Sequence, residues 1–226
     1  MTAPEQPHAL VFAHGEAPSP ELAKALAARA GLVVAADGGV HRALACGVIP
    51  DAVVGDLDSA REVDPSVIPP ERFHRSDDVD TTDLQKAVTF CVERGFRRVD
   101  VVAAGGGRAD HALANLSVIP LFRGIADVRI VDDFFEIRLV DGSVTFDAEP
   151  ATVVSLVALG ACEGVTTHGL RWELTDYPLA FSPRGVHNEV ATSPVTVSVE
   201  KGDQLLFLGR WAEHHRWDQE PPTPRR

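Results

Sequence analysis

The sequence is short of cysteine, of basic charge and of long apolar runs, and each shortage removes a class of protein. Only Cys46, Cys91 and Cys162 occur, and no two form a Cys-x-x-Cys pair. An odd number without that spacing excludes a disulfide framework or a cysteine-built zinc site, and points to thiols that pack in a reducing compartment. Lysine and arginine number 21 against 33 acidic residues, a formal net charge of −12. A field of that sign opposes binding to DNA, RNA or anionic lipid. No apolar stretch approaches the ~20 residues of a membrane span. The opening Met1-Thr2-Ala3-Pro4-Glu5-Gln6-Pro7 has neither a basic n-region nor an apolar h-region, so no secretory leader is expected. The expectation is a cytoplasmic protein with no nucleic-acid or membrane partner.

What is present suffices for two small domains. The chain has 226 residues, 45% of them apolar, and buries a core without a staple. Its character changes near residue 140. Before that point, short apolar runs alternate with helical patterns. Strands are expected at 10–13, 32–36, 52–54, 99–103 and 128–131. Helices are expected at 21–30, 40–46, 82–94 and 109–122. The clearest is 82–94, where Leu84, Ala87, Val88, Cys91 and Val92 follow the stripe of an amphipathic helix and Gly95 ends it. Apolar strands separated by helices make a parallel sheet covered on both faces, an α/β domain over 1–140. Over 141–210 the segments 152–159, 165–170, 195–199 and 204–208 read as strands, with Gly, Pro and Asp between them. That pattern predicts an all-β sandwich or barrel. Residues 211–226 read as a loosely held polar tail.

The chemistry-bearing residues stand where the predicted strands end. The second strand runs into Asp37-Gly38-Gly39 and the third into Gly55-Asp56-Leu57-Asp58-Ser59. The fourth runs into Gly105-Gly106-Gly107-Arg108-Ala109-Asp110-His111, and Asp80-Thr81-Thr82-Asp83 opens the clearest helix. Each piece alone can be a turn or a helix cap. In a parallel sheet, however, these turns share one edge, where ligands of open α/β folds bind. Convergent carboxylates repel unless a cation joins them. A hard cation such as Mg²⁺ would hold a polyphosphate there. The glycine turn would offer backbone N–H groups, and Arg108 a forked cationic contact. The glycine cluster lacks the Lys-Ser or Lys-Thr of a Walker A loop and the spacing of a dinucleotide fingerprint. The residues therefore point to an acidic, magnesium-using phosphoryl-transfer site.

Ala36-Asp37-Gly38-Gly39, Pro50-Asp51, Gly55-Asp56-Leu57-Asp58-Ser59, Asp80-Thr81-Thr82-Asp83-Leu84 and Gly106-Gly107-Arg108-Ala109-Asp110-His111 resemble, in order and spacing, the motifs of thiamine pyrophosphokinases. Gly169-Leu170-Arg171-Trp172 and Gly185-Val186-His187-Asn188-Glu189 continue the likeness, which spans roughly residues 8 to 208. The resemblance implies an α/β ATP-binding domain followed by a β-sandwich thiamine-binding domain. It implies a homodimer with the active site at the subunit interface. It implies attack of the thiamine hydroxyl on the β-phosphorus of ATP, the co-substrate, leaving AMP. By the same resemblance Asp56, Asp58 and Asp83 are the magnesium and catalytic carboxylates. Asp37, Gly38, Asp80, Gly106, Gly107 and Arg108 serve the ATP phosphates. Asp110 meets the reacting end of thiamine, and Trp172, His187 and Asn188 the rest of it. Either Asp83 or Asp110 could take the hydroxyl proton. Two positions depart from the family pattern: Val79 stands where Lys or Gln is usual, and His187 where Ser is usual. The rival readings are a diphosphokinase for another hydroxymethyl compound, such as a pterin, and a nucleotide-binding module without catalysis. Thiamine-dependent AMP release separates them.

Overall fold

The computed structural model describes residues 8–60 and 62–212. They fall into two compact units, one up to Leu139 and one from Val140 onward. The leader expectation for residues 1–7 lies outside the described residues.

The first unit alternates strand and helix. Its strands are β1 (His8–Phe12), β2 (Leu32–Ala36), β3 (Ala52–Gly55), β4 (Phe73–Arg75), β5 (Arg98–Val102), β6 (Asp127–Val131) and β7 (Phe135–Val140), the last reaching the boundary. The helices are α1 (Pro20–Ala27), α2 (Gly39–Ala45), α3 (Asp83–Glu93) and α4 (Ala109–Leu121). Strand order is β7-β6-β5-β1-β2-β3-β4. Every neighbouring pair from β6 to β4 is parallel, and β7 alone runs antiparallel to β6. Central strands buried on both faces explain their unbroken apolar runs. On one face Leu10, Phe12, Val102 and Val131 pack with Ala23 and Leu26 of α1.

The strands β4 and β7 are absent from the expectation, for a physical reason in each case. Phe73-His74-Arg75 is short and lies at the sheet edge, where one side meets no strand and polar side chains are tolerated. Strand β7 carries Glu136 and Arg138 on the face that meets Arg129, whose Nη1 donates to Glu136 Oε1 at 2.9 Å. Paired charges hide its strand character from an apolar count. Helix α1 closes at Ala27 rather than Ala30, and the Gly31 N–H instead donates to His8 O as the chain enters β2.

Helix α3 begins where the acidic edge needs it. Its N-cap is Thr82, whose Oγ1 accepts from the Gln85 N–H, so Asp83 is the first helical residue. Thr82-x-x-Gln85 has the sequence form of a capping box. Replacing Thr82 by Ala should cost ~1 kcal/mol of stability by loss of that cap. Chemical denaturation checks this, and an unchanged midpoint would show that the cap contributes nothing.

The second unit is antiparallel throughout. Its strands are β8 (Ser143–Phe146), β9 (Thr152–Ala158), β10 (Cys162–His168), β11 (Tyr177–Leu179), β12 (Asn188–Glu189), β13 (Val195–Ser198) and β14 (Gln204–Ala212). Strands β12-β9-β14 form one group and β11-β10-β13-β8 another. Both feed a single core that includes Val154, Leu156, Val165, Val197 and Leu206. Strand β14 continues to Ala212, so Trp211 and Ala212 belong to it rather than to the expected tail. The remainder of that tail, 213–226, lies outside the described residues. All three cysteines are free and buried. Burial pushes the Cys91 thiol up to about 12, so it stays protonated and inert in the apolar stripe of α3. Among the described residues no helix is long and apolar enough to cross a membrane.

Candidate active site

Strand β2 delivers Asp37 into a tight turn with φ of 41° before α2 begins. The helix starts hard against β1. A Cβ at Gly39 would collide with the Phe12 carbonyl oxygen, and one at Gly38 with the His14 ring. Two glycines are therefore required, and they leave Asp37 buried at 4% exposure. Its Oδ2 accepts from the Ser59 N–H at 3.2 Å. Its Oδ1 is buried with no hydrogen-bond partner among the described residues. Burial pushes this carboxyl above the ordinary range. The Ser59 hydrogen bonds pull the other way, and the nearby Asp83 charge adds to the rise.

Strand β3 ends in the second acidic turn. The Asp58 N–H donates to Asp56 Oδ1 at 3.1 Å, and Ser59 Oγ donates to Asp58 Oδ1 at 2.8 Å. These bonds fold 56–59 back so that Asp37, Asp56 and Asp58 each present an oxygen within 4.8 Å of the others. Asp83 completes the edge from α3. It sits over Gly55, where an added Cβ would meet its Oδ1 at 3.0 Å, and Lys86 Nζ donates to that oxygen at 3.1 Å. The tight group thus holds Asp37 with Asp56 and Asp58, while Asp83 stands alongside with a lysine on it. Asp80 is exposed outside the group, and its N–H donates to Asp78 Oδ1. Val79 is 93% exposed.

The turn after β5 holds Gly106 and Gly107 at positive φ and leads to Arg108, the N-cap residue of α4. Arg108 Nε and Nη2 donate to Asp110 Oδ1 and Oδ2 at 3.1 and 2.7 Å, and both side chains are exposed. The Arg108 guanidinium holds the Asp110 carboxyl down to about 2. The segment after β1 is zipped to this turn: the Gly15 N–H donates to Ala103 O and the Glu16 N–H to Gly105 O. His14 therefore lies at the same edge, with Asp37, Arg42, His41 and His111 in electrostatic range. Desolvation and Arg42 lower its pKa. Sequence reasoning overlooked His14 and Lys86. The only signal for Lys86 is its position one helical turn after Asp83.

In the second unit Trp172 and Asn188 are locked together. The Trp172 N–H donates to Asn188 Oδ1 at 3.1 Å, and Asn188 Nδ2 donates to Trp172 O at 2.7 Å. The Asn188 amide thus holds the Trp172 segment, and Trp172 is 48% exposed. His187 adopts φ of 66°, with its N–H donating to Ser155 Oγ at 2.9 Å.

An α/β unit with carboxylates and a glycine turn on one strand edge, followed along the chain by an antiparallel β unit, fits the class of phosphotransferases. Residues 23–127 match the family model described as thiamin pyrophosphokinase, catalytic domain, and residues 143–202 the model described as thiamin pyrophosphokinase, vitamin B1 binding domain. Thiamine pyrophosphokinase 1 of Oryza sativa subsp. japonica is 31% identical over 192 residues, covering 72% of each chain. Thiamine pyrophosphokinase of Bacillus subtilis is 30% identical over 186 residues, 78% of this chain and 86% of that one. The solved Bacillus subtilis thiamine pyrophosphokinase has the same fold, with a TM-score of 0.74 at 21% identity over 89% of this chain and 98% of that one. The chain belongs to the thiamine pyrophosphokinase family.

Proposed function

We infer that the chain transfers the pyrophosphoryl group of ATP to the hydroxyl of thiamine, giving thiamine diphosphate and AMP. The observation that carries this reading is the double match: a catalytic-domain model on the α/β unit and a vitamin B1-binding model on the β unit. The pterin and non-catalytic alternatives find no support in the relatives. An assay of AMP release with ATP, magnesium and a panel of alcohols tests the reading. Thiamine should be the preferred acceptor, and preference for a pterin alcohol would overturn it.

The donor set fits magnesium. Three carboxylates present oxygens within 4.8 Å, and one buried oxygen of Asp37 has no hydrogen-bond partner among the described residues. Asp56 and Asp58 would hold the ion, with Asp37 and Asp83 beside them. When bound, it would neutralise polyphosphate charge. The chain's own groups do the rest by position. Lys86, Arg108 and the N–H groups of Gly106 and Gly107 orient the phosphates. Asp80 supports the approach to α3. Of the two candidate proton acceptors, Asp110, held at about 2 by Arg108, is a poor base, which leaves Asp83.

The second unit serves as the β-sandwich that receives thiamine, through Trp172, His187 and Asn188. The unit has no carboxylate cluster of its own among the described residues. A homodimer with each site built from both subunits fits that division of labour, and free buried thiols fit a cytoplasmic setting. An Asp56→Asn chain mixed with an Asn188→Ala chain should regain a fraction of the activity that each lacks alone. Mixtures no more active than their parents, or an active monomer in sedimentation, would contradict the shared site.

A further inference from the structure

We propose that His14, a third candidate beside the two carboxylates, takes the proton of the attacking hydroxyl. This rests on the reading of thiamine and ATP as substrates and adds how the hydroxyl is activated. The strand order supplies the place. From β1 the sheet grows through β2, β3 and β4 on one side, and through β5 and β6 on the other. Strands β1 and β5 therefore flank the switch point, outside which ligands of open α/β sheets bind. The two are parallel, so their C-terminal ends lie side by side there. The end of β5 carries the glycine turn, and the end of β1 carries His14, two residues beyond Phe12.

His14 is held on two flanks. On one, the Ala13 N–H donates to Val102 O at 2.9 Å, and the Gly15 and Glu16 N–H groups donate to Ala103 O and Gly105 O at 2.7 Å each. A Cβ at Gly15 would stand 2.6 and 2.2 Å from those last two oxygens, so glycine is needed for so close an approach. On the other flank the His14 ring rests on Gly38, beside Asp37. A Cβ at Gly38 would lie 2.4 Å from its Nδ1 and Cε1. The ring thus bridges the acidic turn and the glycine turn that leads to Asp110. Its Nδ1 edge faces backbone, which leaves Nε2 the freer nitrogen. His14 keeps an exposed side, and among the described residues no group hydrogen-bonds its ring. The charged and titratable groups around it are Asp37, His41 and Arg42 of the turn into α2, His111 of α4, and Glu16 of its own segment. Desolvation against the backbone and Arg42 lower its pKa, against the pull of Asp37, so the imidazole is neutral at neutral pH. Both carboxylates already carry a cation: Arg108 forks onto Asp110, and Lys86 Nζ lies 3.1 Å from Asp83. A neutral imidazole with a free nitrogen is a stronger base than either. In the step, the hydroxyl proton passes to Nε2 as the hydroxyl oxygen bonds to the β-phosphorus. The bond from the β-phosphorus to the oxygen bridging it to the α-phosphorus breaks, and that oxygen leaves with AMP. The imidazolium then returns its proton to solvent.

Substitution of His14 tests the assignment. His14→Ala should lower kcat about a hundredfold or more at saturating ATP, thiamine and magnesium. Saturating magnesium at each pH removes the contribution of Asp37. The wild-type kcat should then fall as pH drops through the His14 pKa, because only the neutral ring accepts a proton, and the variant should lack that acid limb. Added imidazole should restore part of the variant's turnover in proportion to its neutral form, which a merely structural histidine would not produce. Melting curves verify the fold. If His14→Ala is unstable, His14→Asn gives the same comparison with a polar side chain against Gly38. An unchanged kcat, or an acid limb that survives in a slowed variant, would overturn the role of His14 while leaving the reaction standing. Absence of thiamine-dependent AMP release in the wild-type enzyme would instead overturn the reaction, and the role of His14 with it.

Discussion

Removal of divalent cations should abolish turnover, and magnesium alone should restore it. The expectation follows from the crowding of Asp37, Asp56 and Asp58 on one strand edge. Bringing like charges together is unfavourable without a counter-ion. Asp37 is buried, one of its oxygens lacks a hydrogen-bond partner among the described residues, and burial, with a further contribution from Asp83, raises its pKa. A raised carboxyl pKa means the proton is bound more tightly than usual. An ion held by Asp56 and Asp58 would favour the ionised form of Asp37 beside it, so its binding would compete with that proton. The magnesium concentration for half-maximal activity should therefore climb as pH falls through the raised Asp37 pKa, and settle to a constant value above it. Metal titrations at several pH values check this. Full turnover after rigorous chelation would contradict the role of the cation. A magnesium requirement independent of pH would contradict the role of Asp37.

Asp56→Asn should keep the fold and lose most of the activity. Asp56 is exposed, and its Oδ1 accepts the Asp58 N–H that shapes the turn. Asparagine keeps an accepting oxygen, so the turn survives and only the charge is lost. Loss of one charge-stabilising contact at a reacting centre commonly costs ~3 kcal/mol, roughly a hundredfold in rate. Turnover at saturating magnesium, beside a melting curve superimposable on wild type, gives the comparison. Near wild-type turnover would remove Asp56 from the site.

The parts of this fold that were legible in sequence are those governed by apolar patterning. The α3 stripe and the buried strands β1, β2, β3 and β5 announce themselves because a helix or strand buried in a parallel sheet permits few polar residues. Strands β4 and β7 do not, since one lies at an edge and the other is stabilised by cross-strand charge. The acidic turns were legible as a group because strand ends in a parallel sheet share an edge. Their internal arrangement was not. That Asp37 joins Asp56 and Asp58 most closely depends on its left-handed turn and on the folding back of 56–59. Asn188 shows the same limit. Its amide holds the Trp172 backbone, a pairing across 16 residues that no local pattern encodes.

The central claim concerns which bond of ATP is broken and what receives the fragment. Resolving the products of a reaction with ATP, magnesium and thiamine measures this directly. The account predicts AMP and thiamine diphosphate in equal amounts, with neither formed when thiamine is omitted. Formation of ADP with thiamine monophosphate, or nucleotide breakdown indifferent to thiamine, would contradict it.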